Sequence, residues 1–405
     1  MTEPLRVLLK PGRSKPFWVG HPWVFSGAIK KVVGEIGDLG GEAVVEDERG
    51  NVLGTGYYNP HGKIALRILQ HRRSTDLTFT PRPPADVVRE RLALAVGRRK
   101  NLGFPSRDTD GYRLVNAEGD SLPGLIVDRW ANVAVIHLGS RGMVTLRDVI
   151  VDEVKRLEGI DSVVVATTED ASKLEAIPVE RELVHGNLDG PITIQERGVR
   201  YKVDVLGGQK TGFYADQREN RVRFAKLCPG ETVLDLFSYV GGFGLHAARA
   251  GARAVMSVDS SNSAIESAAT NVALNGLDSV VQVQCTDAMN WLKESRSLGR
   301  TWSRIIVDPP KFARGRKHAA EALKKYARLN TLAMSVLEPG GLMLTCSCSQ
   351  HVSDADFLRM LTDAGHRGRH SVQIHEVWTQ GADHPFSAVA PEGRYLTAVL
   401  LSKGA

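Results

Sequence analysis

The sequence predicts an α/β protein in three parts: a small β-rich module over residues 1–80, an α+β segment over 81–205, and a C-terminal domain over 206–405 built on a seven-stranded mixed sheet. Three observations carry this reading. From about Asp216 onward, strand-like runs alternate with helix-like segments at Thr232–Phe237, Ala254–Asp259, Val280–Gln284, Arg304–Asp308 and Gly341–Thr345, and five such repeats require a parallel sheet covered on both faces. Two further runs, Ser371–Trp378 and Tyr395–Leu401, have only a loop between them and so close the sheet as an antiparallel pair. Ahead of Thr80 the runs are short and punctuated by Gly and Pro, the pattern of a small barrel or sandwich.

In that first module the strand candidates are Trp23–Ile29, Glu42–Glu46, Val52–Tyr57 and Ile64–Leu69. Residues 81–84, Pro-Arg-Pro-Pro, read as a linker, and Ala85–Leu102 then has helical spacing with a strongly basic face. The middle segment offers strands at Tyr112–Val115, Gly124–Asp128 and Val133–Leu138, a helix at Met143–Leu157, and strands at Ser162–Thr167 and Ile192–Val205. It carries no chemical motif.

At 405 residues with 42% hydrophobic and 24% charged residues, the chain has the make-up of a folded protein of two or three domains, which excludes disordered, collagen-like and coiled-coil readings. No apolar run approaches the roughly 18 residues of a membrane span, and residues 1–15 lack the apolar centre of a signal peptide, so the reading is a cytoplasmic protein that engages no membrane. Four cysteines make no disulfide framework. The net charge is +6, yet residues 1–100 alone carry 17 Lys and Arg against 10 Asp and Glu. A basic module on a near-neutral remainder suits a polyanion-binding appendage, because neutralising phosphates releases counterions; a solvated basic surface reads the same way.

In an open α/β sheet the ligand lies beyond the carboxyl ends of the strands, so polar residues there are the first candidates. The first strand ends on Asp235 and runs into Phe237, Ser238, Gly241, Gly242 and Gly244, a turn that lets backbone approach a ligand beneath the next helix. Asp259, followed by Ser260, ends the second strand, where a carboxylate can take both hydroxyls of a ribose, and Asp287 after the third can meet an adenine amino group. Residues 242–247 also match the dinucleotide pattern G-x-G-x-x-A, so the glycines and Asp259 suit either a nicotinamide or another adenosine-bearing cofactor. The fourth strand separates the two. It ends Asp308-Pro309-Pro310-Lys311-Phe312, a rigid turn that sets backbone carbonyls and one acid around a flat amino-bearing ring, which hydride transfer does not require. Here the chain resembles the class I S-adenosylmethionine-dependent methyltransferases.

The fifth strand ends Thr345-Cys346-Ser347-Cys348-Ser349. Methylating a cytosine at carbon 5 needs a nucleophile at carbon 6, because an aromatic carbon is too poor a donor to attack a sulfonium methyl, and a thiolate is the natural choice. Residues i and i+2 of a strand share a face, so both thiols are expected toward the pocket, with no choice between them; two buried small residues, a redox pair or metal ligation with His351 compete, and no metal site is expected because a fourth ligand is missing. An acid on ring nitrogen 3 would stabilise the adduct, which makes Asp308 the candidate and predicts a raised pKa for it.

Taken with residues 209–220, Gln-Lys-Thr-Gly-Phe-Tyr-Ala-Asp-Gln-Arg-Glu-Asn, these motifs resemble the bacterial 23S ribosomal RNA large subunit methyltransferase I family over essentially the whole chain. The resemblance implies a PUA domain, an α+β domain and a Rossmann-like catalytic domain, S-adenosyl-L-methionine as cofactor, 23S ribosomal RNA as partner and 5-methylcytosine as product. It puts the nucleophile on Cys348 and sets Lys210, Thr211, Phe213, Asp216, Gln217 and Arg218 on the wall shared by cofactor and base. It also implies phosphate contacts at Lys10, Arg13, Lys15, Lys30 and Lys31, with Trp18, Trp23 and Phe25 read as core residues. Methylation of a purine nitrogen, a non-catalytic RNA-binding protein with the same fold, the target nucleotide and the oligomeric state, a homodimer included, stay open.

Overall fold

Parallel strands buried on both faces must be apolar along their length, and the C-terminal runs meet that demand. In the computed structural model, which describes residues 3–404 apart from 74, 75, 77, 208–211 and 314 and only the backbone of 316, they form seven strands. These are β1 (Thr232–Leu236), β2 (Ala254–Asp259), β3 (Val281–Cys285), β4 (Trp302–Val307), β5 (Leu337–Ser347), β6 (Val372–Trp378) and β7 (Thr397–Lys403). Their order is β3-β2-β1-β4-β5-β7-β6. The first five are parallel, and β7 runs against both its neighbours, as the loop between the last two runs demands. Helix α1 (Arg218–Ala225) precedes the sheet, and α2 (Gly242–Arg249), α3 (Asn262–Leu274), α4 (Ala288–Ser297), α5 (Ala319–Ser335) and α6 (Asp354–Gly368) connect its strands. Leu234, Ile305, Val307 and Met343 of the sheet pack against Tyr326, Leu329 and Ala333 of α5 and Phe357 and Leu361 of α6. The strand order reverses between β1 and β4, which opens a crevice beyond their carboxyl ends.

The chain divides into two compact units. One comprises Gln195–Lys202, Asp216–Gly381 and Arg394–Ala405 and holds this sheet; the other comprises Met1–Ile194, Val203–Ala215 and Ala382–Gly393. The latter contains a six-stranded sheet in the order Trp23–Phe25, Ile64–His71, Val52–Tyr58, Gly41–Glu46, Leu5–Leu9, Ile29–Val33, packed around Val7, Leu9, Phe17, Val24, Val45 and Ile68. It also contains a five-stranded sheet, Glu180–His185, Ser162–Thr167, Val133–Leu138, Leu125–Trp130, Gly111–Asn116, against which the helix Pro84–Asn101 buries Val88, Leu92 and Ala95. Among the described residues no helix is long and apolar enough to cross a membrane.

Three local expectations are corrected, and one strand, Glu180–His185, is not among those expected. The helix expected over 143–157 is two, Arg141–Thr145 and Arg147–Val154. The run 192–205 is a hairpin, Ile192–Glu196 with Val199–Val203, turning on Arg197 and Gly198 at φ of 49° and 79°. A two-residue hairpin turn takes positive φ at both positions, and an Arg at the first hides it from pattern reading. The strand Glu180–His185 is an edge strand whose charged residues need no burial. Finally, Phe17 takes the core position while Trp18 and Phe25 are 37% and 49% exposed and Trp23 spends its indole N–H on Glu118 Oε1 at 2.8 Å.

A buried ionic cluster supports the start of α2. Glu196, fully buried, accepts from Arg221 Nε and Nη2 of α1 at 2.7 Å each and lies 3.1 Å from His246 Nε2 of α2. Tyr201 donates its hydroxyl to the Gly242 carbonyl at 3.4 Å. Burial pushes Glu196 up, but the charge of Arg221 and the hydrogen bond of His246 prevail and hold it at about 2; burial pushes His246 down. Both folded pKa values are therefore depressed. The unfolded chain takes up a proton at His246 first, below about 6.5, and the share due to Glu196, complete above about 4.5, is lost as pH falls toward 2. Urea unfolding from pH 7 to 3 should show stability falling in that sequence. Glu196→Gln, which removes the carboxylate charge that Arg221 Nε and Nη2 donate to, should cost about 3–5 kcal/mol at pH 7.

Candidate active site

The site begins where β1 ends. Asp235 is nearly fully buried, and its Oδ2 accepts from the Gly244 N–H at 2.8 Å. A Cβ on Gly244 would stand 2.5 Å from Ser257 Oγ and 3.2 Å from Asp235 Oδ2, so only glycine lets α2 lie this close to β1 and β2. The turn between them holds Phe237, Tyr239 and Gly241 at φ of 61°, 50° and 86°. Left-handed backbone at two non-glycine residues costs free energy and persists where surrounding bonds enforce it. Those bonds come from β2: Asp259 accepts from the N–H groups of Tyr239 and Ser261, both at 2.9 Å, and the Val258 carbonyl accepts from Ser238 N–H at 3.0 Å. Ser260 is exposed beside Asp259. Asp287, exposed beyond β3, caps α4 through the Asn290 N–H at 2.9 Å.

Across the switch point stands Asp308, half-buried after β4, whose Oδ2 accepts from Gln217 Nε2 at 3.0 Å. Gln217 is in turn fixed by Asn220, which donates to its Oε1 at 2.7 Å. Tyr395 donates to Asp216 Oδ2 at 2.7 Å, tying the segment before α1 to the one entering β7. Burial pushes Asp235 up to about 7, opposed by the Gly244 N–H and reinforced by the charges of Asp308 and Asp259.

The two thiols of the fifth strand separate cleanly. Cys346, inside β5, is fully buried. Burial, reinforced by the charge of Asp308, pushes its thiol well above the ordinary range. The strand ends at Ser347, so the alternation rule no longer governs Cys348, which is half-exposed. Buried serines flank it. Ser347 Oγ accepts from the Ser349 N–H at 3.3 Å, and Ser349 Oγ accepts from the Ala313 N–H at 3.3 Å and meets the Tyr326 hydroxyl at 3.2 Å. Tyr326, buried on α5 and pushed to about 12 by burial, also stacks at a tilt on Phe312, ring centres 4.8 Å apart. One hydroxyl thus ties the Asp308-to-Ala313 loop to the Cys348 loop. Nothing in the sequence pattern marks Tyr326, whose spacing reads as plain helix core; the two serines are visible in it, but not what they hold.

The remaining candidates distribute as follows. Pro309 is buried, Pro310 and Lys311 are exposed, and Arg218 is fully buried on α1, 3.2 Å from Glu219 Oε1. Phe213 belongs to the other unit and is buried there, edge-on to Trp130 with ring centres 6.0 Å apart. Lys210 and Thr211 lie outside the described residues. Lys10, Arg13, Lys15, Lys30 and Lys31 are all exposed in the first unit.

The donor set at β1 to β3 suits S-adenosylmethionine. Three carboxylates stand at successive strand tips, a cationic sulfonium complements them, and Ser238 Oγ is buried in the turn without a hydrogen-bond partner among the described residues. Because the folded pKa of Asp235 is raised, its ionisation destabilises the fold as pH rises from about 4 to above 7. Asp235→Asn, which keeps an acceptor for Gly244, should melt a few degrees above the parent at pH 8, with the gap narrowing as pH falls and closing only below about pH 4. Tyr326→Phe should lose about 1 kcal/mol in urea unfolding and alter the rate at which iodoacetamide modifies Cys348, read by peptide mass spectrometry.

Comparison with known proteins bears on this geometry. Residues 7–71 match a PUA-like domain and residues 180–397 an S-adenosylmethionine-dependent methyltransferase family. The chain is 37% identical, over 98% of each sequence, to proteins named ribosomal RNA large subunit methyltransferase I from Shewanella frigidimarina and Shewanella denitrificans. In fold it is similar to a putative S-adenosylmethionine-dependent methyltransferase from Streptococcus mutans, with a TM-score of 0.82 at 20% identity over 98% of this chain and 99% of that one. A putative methyltransferase solved in complex with SAH is likewise similar, with a TM-score of 0.83 at 21% identity over the same shares. The protein uses S-adenosylmethionine, and it belongs to the ribosomal RNA large subunit methyltransferase I family.

Proposed function

We propose that the protein methylates carbon 5 of a cytosine in 23S-type large-subunit ribosomal RNA, with Cys348 as attacking nucleophile and Asp308 as the acid that stabilises the ring. The observation that carries this reading is the contrast between the thiols: Cys346 fully buried, Cys348 half-exposed on a loop tied to the one that bears Asp308. The names of the relatives support the RNA class, and the PUA-like module with its excess of basic residues supports RNA binding. An RNA substrate sets the reaction in the cytoplasm.

In this reading Asp259 holds the ribose hydroxyls and Asp287 the adenine amino group, while Asp235, Phe237, Ser238, Gly241, Gly242 and Ser260 line the turn around them. Gln217 and Arg218 face the cofactor from α1 and the residue before it. When bound, S-adenosylmethionine supplies an electrophilic methyl group. Cys348 adds as thiolate to carbon 6 while Asp308, oriented by Gln217, shares a proton with ring nitrogen 3, so that charge driven onto the ring is met by a hydrogen bond. Carbon 5 becomes nucleophilic and takes the methyl; a base then removes its proton, the ring regains its double bond and the thiolate leaves. Pro309, Pro310, Lys311 and Phe312 hold the base from one side. The base itself must be unstacked or flipped to expose carbon 6.

Ribosomal RNA transcribed with 5-fluorocytosine, which lacks the removable proton, should trap the protein in a covalent complex on denaturing gels. The complex is expected with the parent and with Cys346→Ala and should be absent with Cys348→Ala. Trapping that survives Cys348→Ala removes the proposed nucleophile, and its absence in the parent removes the thiol route.

A further inference from the structure

We infer that the solvent face of α5, with the loop that leads into it, is a phosphate-binding surface that grips the RNA strand beside the target base. The inference rests on the RNA methyltransferase reading and adds a contact surface to it. Residues 311–328 contain seven Lys and Arg against the single acid Glu321, an excess of six that equals the net charge of the whole chain. Lys311, Lys317, Lys324, Lys325 and Arg328 are exposed. Lys325 pairs with Glu321 at 3.0 Å, and the charge of Lys324 also acts on Glu321; Lys317, Lys324 and Arg328 form no ion pair within 4 Å among the described residues. Glu321, Lys324, Lys325 and Arg328 are spaced three and four apart, so the charges form one stripe, while Ala322, Tyr326, Leu329 and Ala333 form the buried stripe opposite.

A charged outer helix face is ordinarily a balanced one, and α6 in the same unit fits that norm, with Asp354, Asp356 and Asp363 set among Arg359 and Arg367. Helix α5 departs from it in sign and in position. Its first turn holds the single acid Glu321, its cations Lys324, Lys325 and Arg328 follow in the next two turns, and its last turn has none. That local excess of one sign favours an anion laid along the face. The location points the same way. Lys324 and Arg328 each stand two residues from Tyr326, whose hydroxyl on the inner face meets Ser349 beside Cys348, and Lys311 lies in the loop whose Ala313 N–H bonds that same serine. An extended polyanion on the outer stripe would thus be held on the same helix that fixes the reacting thiol. Such contacts position the strand and carry no sequence information.

The test is the triple variant Lys317→Ser, Lys324→Ser, Arg328→Ser, assayed by filter binding to protein-free large-subunit ribosomal RNA across a KCl series, with S-adenosylmethionine affinity as the check on folding. Removing three phosphate contacts should lower the slope of log Kd against log salt by about 2–3 and weaken binding roughly a hundredfold near ~0.1 M salt, with the gap closing as salt rises. Lys324→Arg with Arg328→Lys should bind like the parent, and at saturating RNA the triple variant should keep its kcat while KM rises. An unchanged salt slope in the triple variant overturns the inference and leaves the RNA methyltransferase reading standing. A parent that neither binds nor methylates the RNA overturns that reading and the inference with it. Loss of binding to phosphatidylglycerol vesicles that matches the loss to RNA overturns the assignment to RNA.

Discussion

The chemistry of this site depends on β1 and β4 pairing side by side while the chain leaves them in different directions. Parallel pairing fixes register as well as neighbourhood: Leu236 lies against Val307, and Val307 against Thr345. Asp235 is level with Ile306, and Asp308 and Cys346 each follow one residue beyond the Val307–Thr345 pair, two residues further along than Asp235, with Cys348 two residues beyond Cys346. In the proposed function, cofactor-facing groups collect at the tips of β1, β2 and β3 and base-facing groups at β4 and β5 because the strand order turns at that point. A register slip of one residue at β4 would send Asp308 to the other face of the sheet.

The same pairing concentrates negative charge. Asp235, Asp259 and Asp308 share one crevice, and the pKa of Asp235, raised chiefly by burial, is raised further by the charges of the other two. Arg221, buried on α1, gives Nε and Nη2 to Glu196 and offsets only part of the rise in Asp235. A cationic ligand therefore meets a crevice whose charge is already unbalanced in its favour, and the hydrogen bonds that fix Asp235 and Asp259 are in place before it arrives, so little reorganisation is needed. The strained turn through Phe237 and Tyr239 belongs to the same economy of positions: its left-handed backbone is enforced from β2 rather than by its own residues.

What the sequence discloses and conceals follows from how local each feature is. Strand tips are legible because five apolar runs force a parallel sheet, and topology then assigns every Asp at a run's end to one rim. Cys346 and Cys348 were legible as a pair but not as individuals, since burial depends on where β5 stops, and it stops between them. The hairpin at Arg197-Gly198 escaped because an arginine in left-handed backbone leaves no mark in composition. Trp18 and Phe25 were misread as core because hydrophobicity ranks residues without saying which neighbour, here Phe17, occupies the interior. Tyr326 and the Glu196–Arg221 pair were illegible for a further reason: each acts on a partner tens of residues away, through a hydrogen bond that no spacing rule encodes.

Affinity and precision make different demands on the fold, and under the proposed function and the inferred phosphate surface α5 serves both on opposite faces. Phosphate attraction is long-ranged and tolerant, so exposed side chains with free rotamers serve it well, and its strength is set by how many charges are released to salt. A nucleophile must stand within a few tenths of an ångström of its target, which demands groups locked by packing; hence the buried tyrosine, the two buried serines and the bond to Ala313. A helix transmits position between its faces without deforming, because its backbone bonds are satisfied internally. Placing the tolerant contacts and the exacting ones on one rigid element means that thermal play in the long outer side chains does not reach the sulfur, while a strand captured on the outside is referenced to the same frame as the thiol.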